Sequence, residues 1–404
     1  MSRGRSPRTP VDVPGVGHQT LRMFTPSPLR RNLGAALRDL SATKPDVRAS
    51  AARDLGIAGL DDCETAAAAV EPLLRDSDSQ VRGEAALTLG TLGAVQYVDA
   101  IGVLLDDGDI AVRQYAVMAL GEISGEAALT LLERAFAGAH ADVRYQALMA
   151  IAAVDPRRGF DASITALEDP DIWIASEAAL QLGERGAQHA ETPVWFTEAH
   201  RARGREALRA RLGTESARVS LCAAMALARL GDERGRDQLV RFVRGELMIE
   251  ASDDASDLRL QAIELLGELG GADARACLES VAWRMFPSVQ REVARAALAR
   301  LGDERAAGAI VAQLRSMSGE RRLAAVQLAR AGQVRQAVPA LVEILRSKRV
   351  EATTVIDALE SINDSDARAA LRTYVDDGSG DAEALDVART ALERMTSASS
   401  SGSV

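Results

Sequence analysis

Asp-Ser-Gln-Val-Arg-Gly-Glu-Ala-Ala-Leu-Thr-Leu-Gly, residues 78–90, is the stretch that decides the fold of this chain of 404 residues. Its pattern of Asp, Val-Arg, Ala and Leu-Gly returns at residues 109–121, 31 residues further along, and in weaker copies over most of the chain. The Val, the Ala four residues later and the Leu eight residues later share one face of a helix. Each copy therefore predicts a helix with a buried face, and the fixed period predicts stacked repeats.

Shorter apolar segments lie between these helices, such as Ile101 with Leu104 and Leu105. They predict a first helix for each repeat, so that the Val-Arg helix is the second member of a pair. Gly90 and the small residues at the same position of other repeats predict a close approach of neighbouring helices, since a helical Gly otherwise costs about 1 kcal/mol against Ala. We therefore predict an all-α fold, an α-solenoid of about ten helix pairs.

Charged residues recur beside the Val of each repeat. An Asp stands shortly before it and can accept hydrogen bonds from the free N–H groups of the helix start. The Arg that follows the Val can reach an Asp of the adjacent repeat. We expect a structural Asp/Arg ladder, and the alternative is that the arginines form a phosphate-binding row. The ladder residues are Asp46, Asp78, Asp109, Asp142, Arg48, Arg82, Arg113, Arg144 and Arg259.

The ends of the chain differ from the repeats in composition. Residues 1–26 are rich in Pro, Ser, Gly and Arg, which predicts a disordered basic arm. Residues 27–395 are expected to form one solenoid domain, and residues 396–404 are expected to be a disordered tail.

The repeat spacing lengthens in the middle of the chain, at about residues 184–257. The first insertion carries Trp195, Phe196 and several arginines, whereas the second is mostly acidic. Two interpretations stay open. The oppositely charged insertions pack on each other, or they form a docking site with Trp195 and Phe196 as its aromatic anchors.

Charge and motifs argue against several classes of function. The chain has a net charge of −10, whereas a nucleic-acid groove concentrates Lys and Arg, so nucleic-acid binding is expected at most through the basic arm. Phosphate loops, nucleophile elbows and Cys-x-x-Cys pairs are missing from the sequence. His189, Glu191, Glu198 and His200 could ligate a metal, but their spacing fits no usual motif. We therefore predict no catalytic residue, cofactor or metal.

The repeat resembles HEAT repeats, in particular the short class of phycobilisome-lyase-like HEAT repeats, over about residues 27–395. The resemblance implies that the Val-Arg helix is the second of each pair and lines the concave face of a right-handed superhelix. It implies a protein-binding role and leaves open a bilin-lyase-like or other enzyme-associated subunit. The scattered Cys63, Cys222 and Cys277 are typical of reduced thiols in a cytoplasmic protein.

The third residue after each Val is expected to point away from the packed stripe and towards a partner. In four consecutive repeats these residues are Glu84, Tyr115, Gln146 and Glu177, and Glu122, Glu184 and Glu268 stand one or two turns further along their helices. Acids, an amide and a tyrosine suit a partner segment that carries Arg or Lys. We therefore predict a cytoplasmic, non-catalytic scaffold that binds a protein along its concave face. The identity of the partner and the oligomeric state stay open.

Overall fold

The computed structural model describes residues 33–58, 62–186, 195–250, 252–378 and 380–400. The arm expected at residues 1–26 lies outside the described residues. The chain divides into two compact units, Met1–Leu131 and Leu132–Val404, which we call the first and the second unit.

The first unit consists of short helices in the order that the repeats predict. They are α1 Leu33–Asp39, α2 Pro45–Ala58, α3 Cys63–Val70, α4 Ser79–Thr91, α5 Val98–Val103 and α6 Ile110–Ile123. Within this unit the Val-Arg helix α4 packs against both α2 and α6. The next helix, α7 Gly125–Phe136, contains the boundary between the units.

The second unit continues the same alternation. Its helices are α8 Ala141–Val154, α9 Pro156–Ala166, α10 Ile172–Gly186, α11 Glu198–Arg209, α12 Ala217–Arg229, α13 Arg236–Arg244, α14 Ala255–Leu269, α15 Ala272–Ala282, α16 Val289–Arg300, α17 Glu304–Leu314, α18 Gly319–Ala331, α19 Val338–Ser347, α20 Ala352–Ile362, α21 Ser365–Asp377 and α22 Ala382–Ser400. The last helix includes residues 396–400, which the sequence assigns to the tail. No strand occurs in the part of the chain that the structure describes.

The second helices of the pairs stack on one another within each unit. We call all of them Val-Arg helices, although later copies replace the Val or the Arg. In the second unit α10 packs on α12, and α14, α16, α18 and α20 follow in the same way. The intervening helices pack against their partners, as α15 does on α16 and α17 on α18. The predicted all-α fold and α-solenoid class are confirmed.

The residues of the deciding stretch form the core, as their helical spacing predicts. Val81, Ala85 and Leu89 are completely buried in α4. Their position between neighbouring helices explains why the pattern recurs, because each copy fills the same space one repeat further along.

Glycines stand where two Val-Arg helices approach most closely. A Cβ on Gly90 would lie 2.7 Å from Ala119 Cα in the first unit. In the second unit, a Cβ on Gly183 would lie 2.6 Å from Ala226 Cα. Both distances are too short for a carbon atom against backbone, so these helices can pack this closely only when one side carries no side chain.

An arginine at the start of the Val-Arg helix ties two loops together. Arg82 donates from Nε and Nη2 to the Asp107 carboxylate, and both distances are 2.8 Å. Its Nη1 donates to the Asp76 carbonyl oxygen at 2.9 Å. One guanidinium thus holds the loop before its own helix and the loop of the next repeat. The same pairing joins Arg48 to Asp76 and Arg144 to Asp169.

The aspartates expected at the helix starts fall into two groups. Asp78 and Asp109 are N-caps, and each accepts hydrogen bonds from two backbone N–H groups of the first turn. Asp46 and Asp142 lie inside the first turns of α2 and α8, so the expectation that they cap these helices is wrong. There they still face the positive end of the helix dipole. The carboxylates that receive the ladder arginines stand two residues before the caps.

One of the expected ladder arginines, Arg259, behaves differently. In the loop after α15, the position that would receive Arg259 is Phe286, which cannot accept a hydrogen bond. The Arg259 guanidinium lies instead 5.0 Å from the centroid of the Phe242 ring, so its assignment to the ladder is wrong. Arg113, like Arg82, donates from Nη1 to the carbonyl oxygen six residues before it, that of Asp107, at 2.9 Å, and so holds the loop before its own helix.

Replacement of Gly183 by Ala should destabilise the second unit by about 1–3 kcal/mol, because the added methyl must push α10 away from α12. The measurement is the midpoint of urea denaturation followed by circular dichroism. Gly308→Ala is the matched control, since Gly308 is an exposed residue within α17 and no atom lies within 4 Å of its Cβ position. That change should stabilise α17 by up to about 1 kcal/mol. Equal effects of the two changes would contradict the close-approach account.

Asp107→Asn should lower the free energy of unfolding by about 2 kcal/mol at neutral pH, because it breaks a largely buried charged pair. The pKa of Asp107 is lowered in the folded chain, and the hydrogen bonds from Arg82 are the main cause. The stabilisation is therefore present above the unfolded pKa, about 4, and is lost as pH falls through the lower folded value. Urea denaturation at several pH values should show the difference between the two proteins shrinking in acid.

The control for this prediction is Arg75→Gln in the same unit. Arg75 pairs with Glu71 at the surface, where ion pairs contribute little. A loss as large as that of Asp107→Asn, or a difference that does not depend on pH, would contradict the role of the buried pair.

Candidate partner-binding groove

A groove of about 1030 Å³ runs across three successive Val-Arg helices of the second unit. Glu264 and Glu268 on α14, Arg300 on α16 and Gln327 on α18 supply polar groups to its walls. Small and aliphatic residues supply the rest, among them Val293, Ala296, Ala297, Ala324 and Leu328. We call this feature the α14–α18 groove.

A second hollow of about 750 Å³ continues this groove towards α10 and α12. The two hollows share Glu264, Glu268 and Arg300, so they form one continuous surface. Glu184 and Arg229 stand at its far end. A surface that spans several repeats is long enough to receive an extended or helical segment of another protein.

The charges of the groove are only partly neutralised from within. Arg300 Nη1 lies 3.6 Å from the nearer carboxylate oxygen of Glu268. Desolvation, and after it the charge of Glu268, raises the pKa of Glu264. Arg229 donates from Nη2 to the Gln261 side-chain oxygen at 2.7 Å, but its Nη1 is buried and has no hydrogen-bond partner among the described residues. The carboxylates therefore stay available to a ligand, and the buried guanidinium nitrogen lacks a hydrogen bond.

The groove provides binding chemistry rather than a recognisable reaction centre. Its ionisable lining residues are Glu and Arg, which suit salt bridges and hydrogen bonds to a polypeptide. Over the described residues, no group of three or more His, Cys, Asp and Glu could hold a metal ion. His189 and Glu191 of the weak metal motif lie outside the described residues. Its other histidine, His200, packs edge-on against Phe160 and Trp195.

Glu84 does not point towards solvent as the repeat position suggests. It is 7% exposed and accepts hydrogen bonds from Arg53 of the preceding Val-Arg helix. The expectation that Glu84 contacts a partner is therefore wrong. Tyr115 is half-buried, and its ring packs directly on Gly83. A Cβ on Gly83 would lie 2.4 Å from Cδ2 of Tyr115.

The other predicted contact residues vary in their surroundings. Gln146 and Glu177 are half-buried, and Glu177 accepts a hydrogen bond from Gln181 at 3.4 Å. Burial raises the pKa of Glu177. Glu122 is exposed and accepts a hydrogen bond from Thr91 at 3.2 Å, and Glu184 is exposed in the continuous groove. A role in binding stays a prediction for these four residues and for Tyr115.

The aromatic pair of the first insertion belongs to the core rather than to an open docking site. Phe196 is only 4% exposed, and its ring packs edge-on against Phe160 at a centroid distance of 5.6 Å. Trp195 is half-buried beside it. Phe196 is therefore wrong as an exposed anchor, because the longer repeat uses it to bury the start of α11.

The arginines of the first insertion pair mostly with acids of neighbouring repeats. Arg209 binds Asp232, and Arg211 lies 3.0 Å from Glu168. In the second insertion, Asp254 pairs with Arg218 of α12. These ion pairs join each insertion to the repeats beside it, whereas the sequence suggests pairing between the two insertions.

Several groove residues were missed by the reasoning from sequence. Glu264 and Arg229 do not stand at the third position after the Val, and that position is the one for which the sequence predicts contact with a partner. A signal was nonetheless present: Glu122, Glu184, Arg229 and Glu268 all stand ten residues after the first apolar residue of their repeats. That shared register places charged side chains at the same level of consecutive helices.

None of the helices in the described parts of the chain combines the length and the apolar character that a membrane span requires.

Comparison with known proteins places these repeats in a family. The model that describes HEAT repeats matches residues 32–101 and residues 67–141. That model is of HEAT repeats in general, so the phycobilisome-lyase-like subclass stays a prediction. No curated protein matches the chain by sequence.

Solved structures are similar in fold at low sequence identity. A chain in a homology model of the full-length AP-3 complex in an intermediate open conformation is 14% identical, with a TM-score of 0.50, over 90% of this chain and 73% of that one. The YibA protein of Escherichia coli is 17% identical, with a TM-score of 0.47, over 68% of this chain and 94% of its own. Importin beta is 13% identical, with a TM-score of 0.44, over 89% of this chain and 56% of its own.

The matched repeats in residues 32–141 and the stacked helix pairs lead to one conclusion. Residues 32–141 are similar to HEAT repeats, and the described helices have an α-solenoid fold.

Proposed function

We propose that this protein is a non-catalytic scaffold that binds a segment of a partner protein in the α14–α18 groove. The observation that carries the proposal is the continuity of the groove across consecutive Val-Arg helices, with charged groups at repeated positions and apolar surface between them. Such a lining provides both the salt bridges and the apolar contacts by which a polypeptide is held. A cytoplasmic location is part of the proposal, because Cys222 and Cys277 are buried free thiols.

The partly unpaired groups indicate how the partner segment is held. The carboxylates of Glu264 and Glu268 would receive Arg or Lys side chains of the segment. Arg229 Nη1 is buried without a hydrogen-bond partner, and burial without a partner costs free energy. If the Arg229 side chain turns towards the groove, this nitrogen would donate to a carbonyl or carboxylate oxygen of the same segment.

The double change Glu264→Lys with Glu268→Lys should abolish capture of the partner, because like charges would then face its basic side chains. The measurement is affinity capture from the native cell extract by the intact chain and by the variant. Proteins that are captured by the intact chain and lost with the variant would support the groove as the binding site.

The matched control is Glu279→Lys with Glu343→Lys. These exposed glutamates lie on α15 and α19, outside the residues that line the groove, and the change alters the net charge equally. The control should capture the same proteins as the intact chain. If the groove variant also keeps every captured protein, the proposed function of the groove is refuted.

A further inference from the structure

Two neighbouring loops of the second unit carry large apolar side chains in the open. Met285 and Phe286, between α15 and α16, are 84% and 79% exposed. Met317, between α17 and α18, is 95% exposed, and Val289 at the start of α16 is 65% exposed. We call these four residues the loop patch. They adjoin the α14–α18 groove, whose lining includes Val289.

One residue of the patch, Phe286, occupies a position that other loops give to an aspartate. In the first unit, the ladder acceptor Asp107 stands two residues before the cap Asp109, with Gly108 between them. The caps of α16 and α18 are Ser288 and Ser318. Two residues before Ser288 is therefore Phe286, and the residue before Ser318 is Met317. In these two repeats the aspartate that would accept the ladder arginine is replaced, by Phe286 and by Ser316.

The replacement breaks the ladder at these two repeats. Arg259 lies over the Phe242 ring. The loop position that would receive Arg291 is Ser316, and Arg291 pairs instead with Glu292 of its own helix, with Nη2 2.9 Å from the carboxylate oxygen. Arg48, Arg82 and Arg144 tie consecutive repeats together by such pairs, so the missing link at these two repeats is a cost to stability.

The backbone of both loops is held in place in spite of this break. Arg322 donates from Nη1 to the carbonyl oxygens of Ser316 and Met317, at 2.6 and 3.2 Å. Trp283, at the start of the other loop, lies under two guanidinium groups, of Arg295 at 5.0 Å and of Arg305 at 3.8 Å. The loop patch is thus presented on fixed backbone, which lowers the entropy lost when a ligand binds.

The charges beside the patch are positive, in contrast to the chain as a whole. Arg284, Arg315 and Arg321 are exposed and form no ion pair within the described part of the chain, and the exposed acid next to them is Glu320. Glu292 is already shared by Arg291 and Arg295. The chain carries a net charge of −10, so an unpaired group of arginines around an apolar patch is a local feature. It complements a ligand that is both apolar and acidic.

We propose that the loop patch docks a short acidic segment of a partner protein, whose apolar side chains cover Met285, Phe286, Val289 and Met317 and whose carboxylates pair with Arg284, Arg315 and Arg321. This rests on the proposed scaffold function and extends it, because the acidic segment would bind at the loops and the chain that continues from it would enter the α14–α18 groove. Exposed Met and Phe side chains on fixed loops are suited to such contacts, since apolar anchors supply most of the binding energy of small interfaces.

The test is selection of short random peptides, displayed on phage, against the intact chain. The selected peptides should combine Asp and Glu with apolar residues, and their affinity should fall with salt. They should bind the variant Phe286→Ser with Met317→Ser roughly tenfold more weakly or worse. The control is Val95→Ser with Val103→Ser, which removes two exposed apolar side chains of the first unit and should leave affinity unchanged.

All four changed residues are exposed, so thermal melting should show both variants folded as well as the intact chain. Selection of basic peptides, of no peptides, or of peptides that bind the patch variant as tightly as the intact chain would overturn the proposal. Peptides that are lost only with Glu264→Lys and Glu268→Lys would overturn the loop patch and still support the groove. Peptides that are lost only with the patch variant, when capture from extract does not depend on the groove glutamates, would refute the groove and support the patch.

Discussion

The close approach of consecutive Val-Arg helices is the constraint on which the rest of the structure depends. Gly90 faces Ala119, and Gly183 faces Ala226, at distances that leave no room for a further carbon atom. This packing fixes the spacing of the repeats and brings charged residues of successive helices to one level. The groove across α14, α16 and α18 follows from that stacking. Small residues lie where the helices approach, and the longer Glu and Arg side chains beside them form the walls of the groove.

The Arg and Asp pairs hold the loops between consecutive repeats, and they are present in some repeats and replaced in others. Arg48, Arg82 and Arg144 each bind the carboxylate of the next repeat. At α15 to α18 the acceptor is replaced by Phe286 and Ser316, and the ladder residues turn to other contacts. A repeat protein whose stability is a sum of local interfaces can lose one such link without losing its fold.

The sequence was sufficient for what periodicity controls and insufficient for what tertiary contacts decide. The helix pairs, the buried Val, Ala and Leu positions and the close approach at Gly90 follow from spacing within one repeat. Glu84 could not be placed in the same way, because its burial depends on Arg53 of another repeat. The residue type of Phe196 suits an exposed aromatic anchor, but its position against Phe160 is set by how the longer repeat folds back. Glu264 lies in the groove because of how the helices pack, and spacing within one repeat does not predict that packing.

Hydrogen exchange of the intact chain, measured with and without its bound partner, tests the central claim most directly. If the partner lies along the α14–α18 groove and the adjoining loops, amide protection should increase at about residues 261–269, 284–300 and 315–331, and elsewhere exchange should be unchanged. Protection confined to the first unit, or spread evenly over the whole chain, would contradict the assignment of the binding surface to this groove.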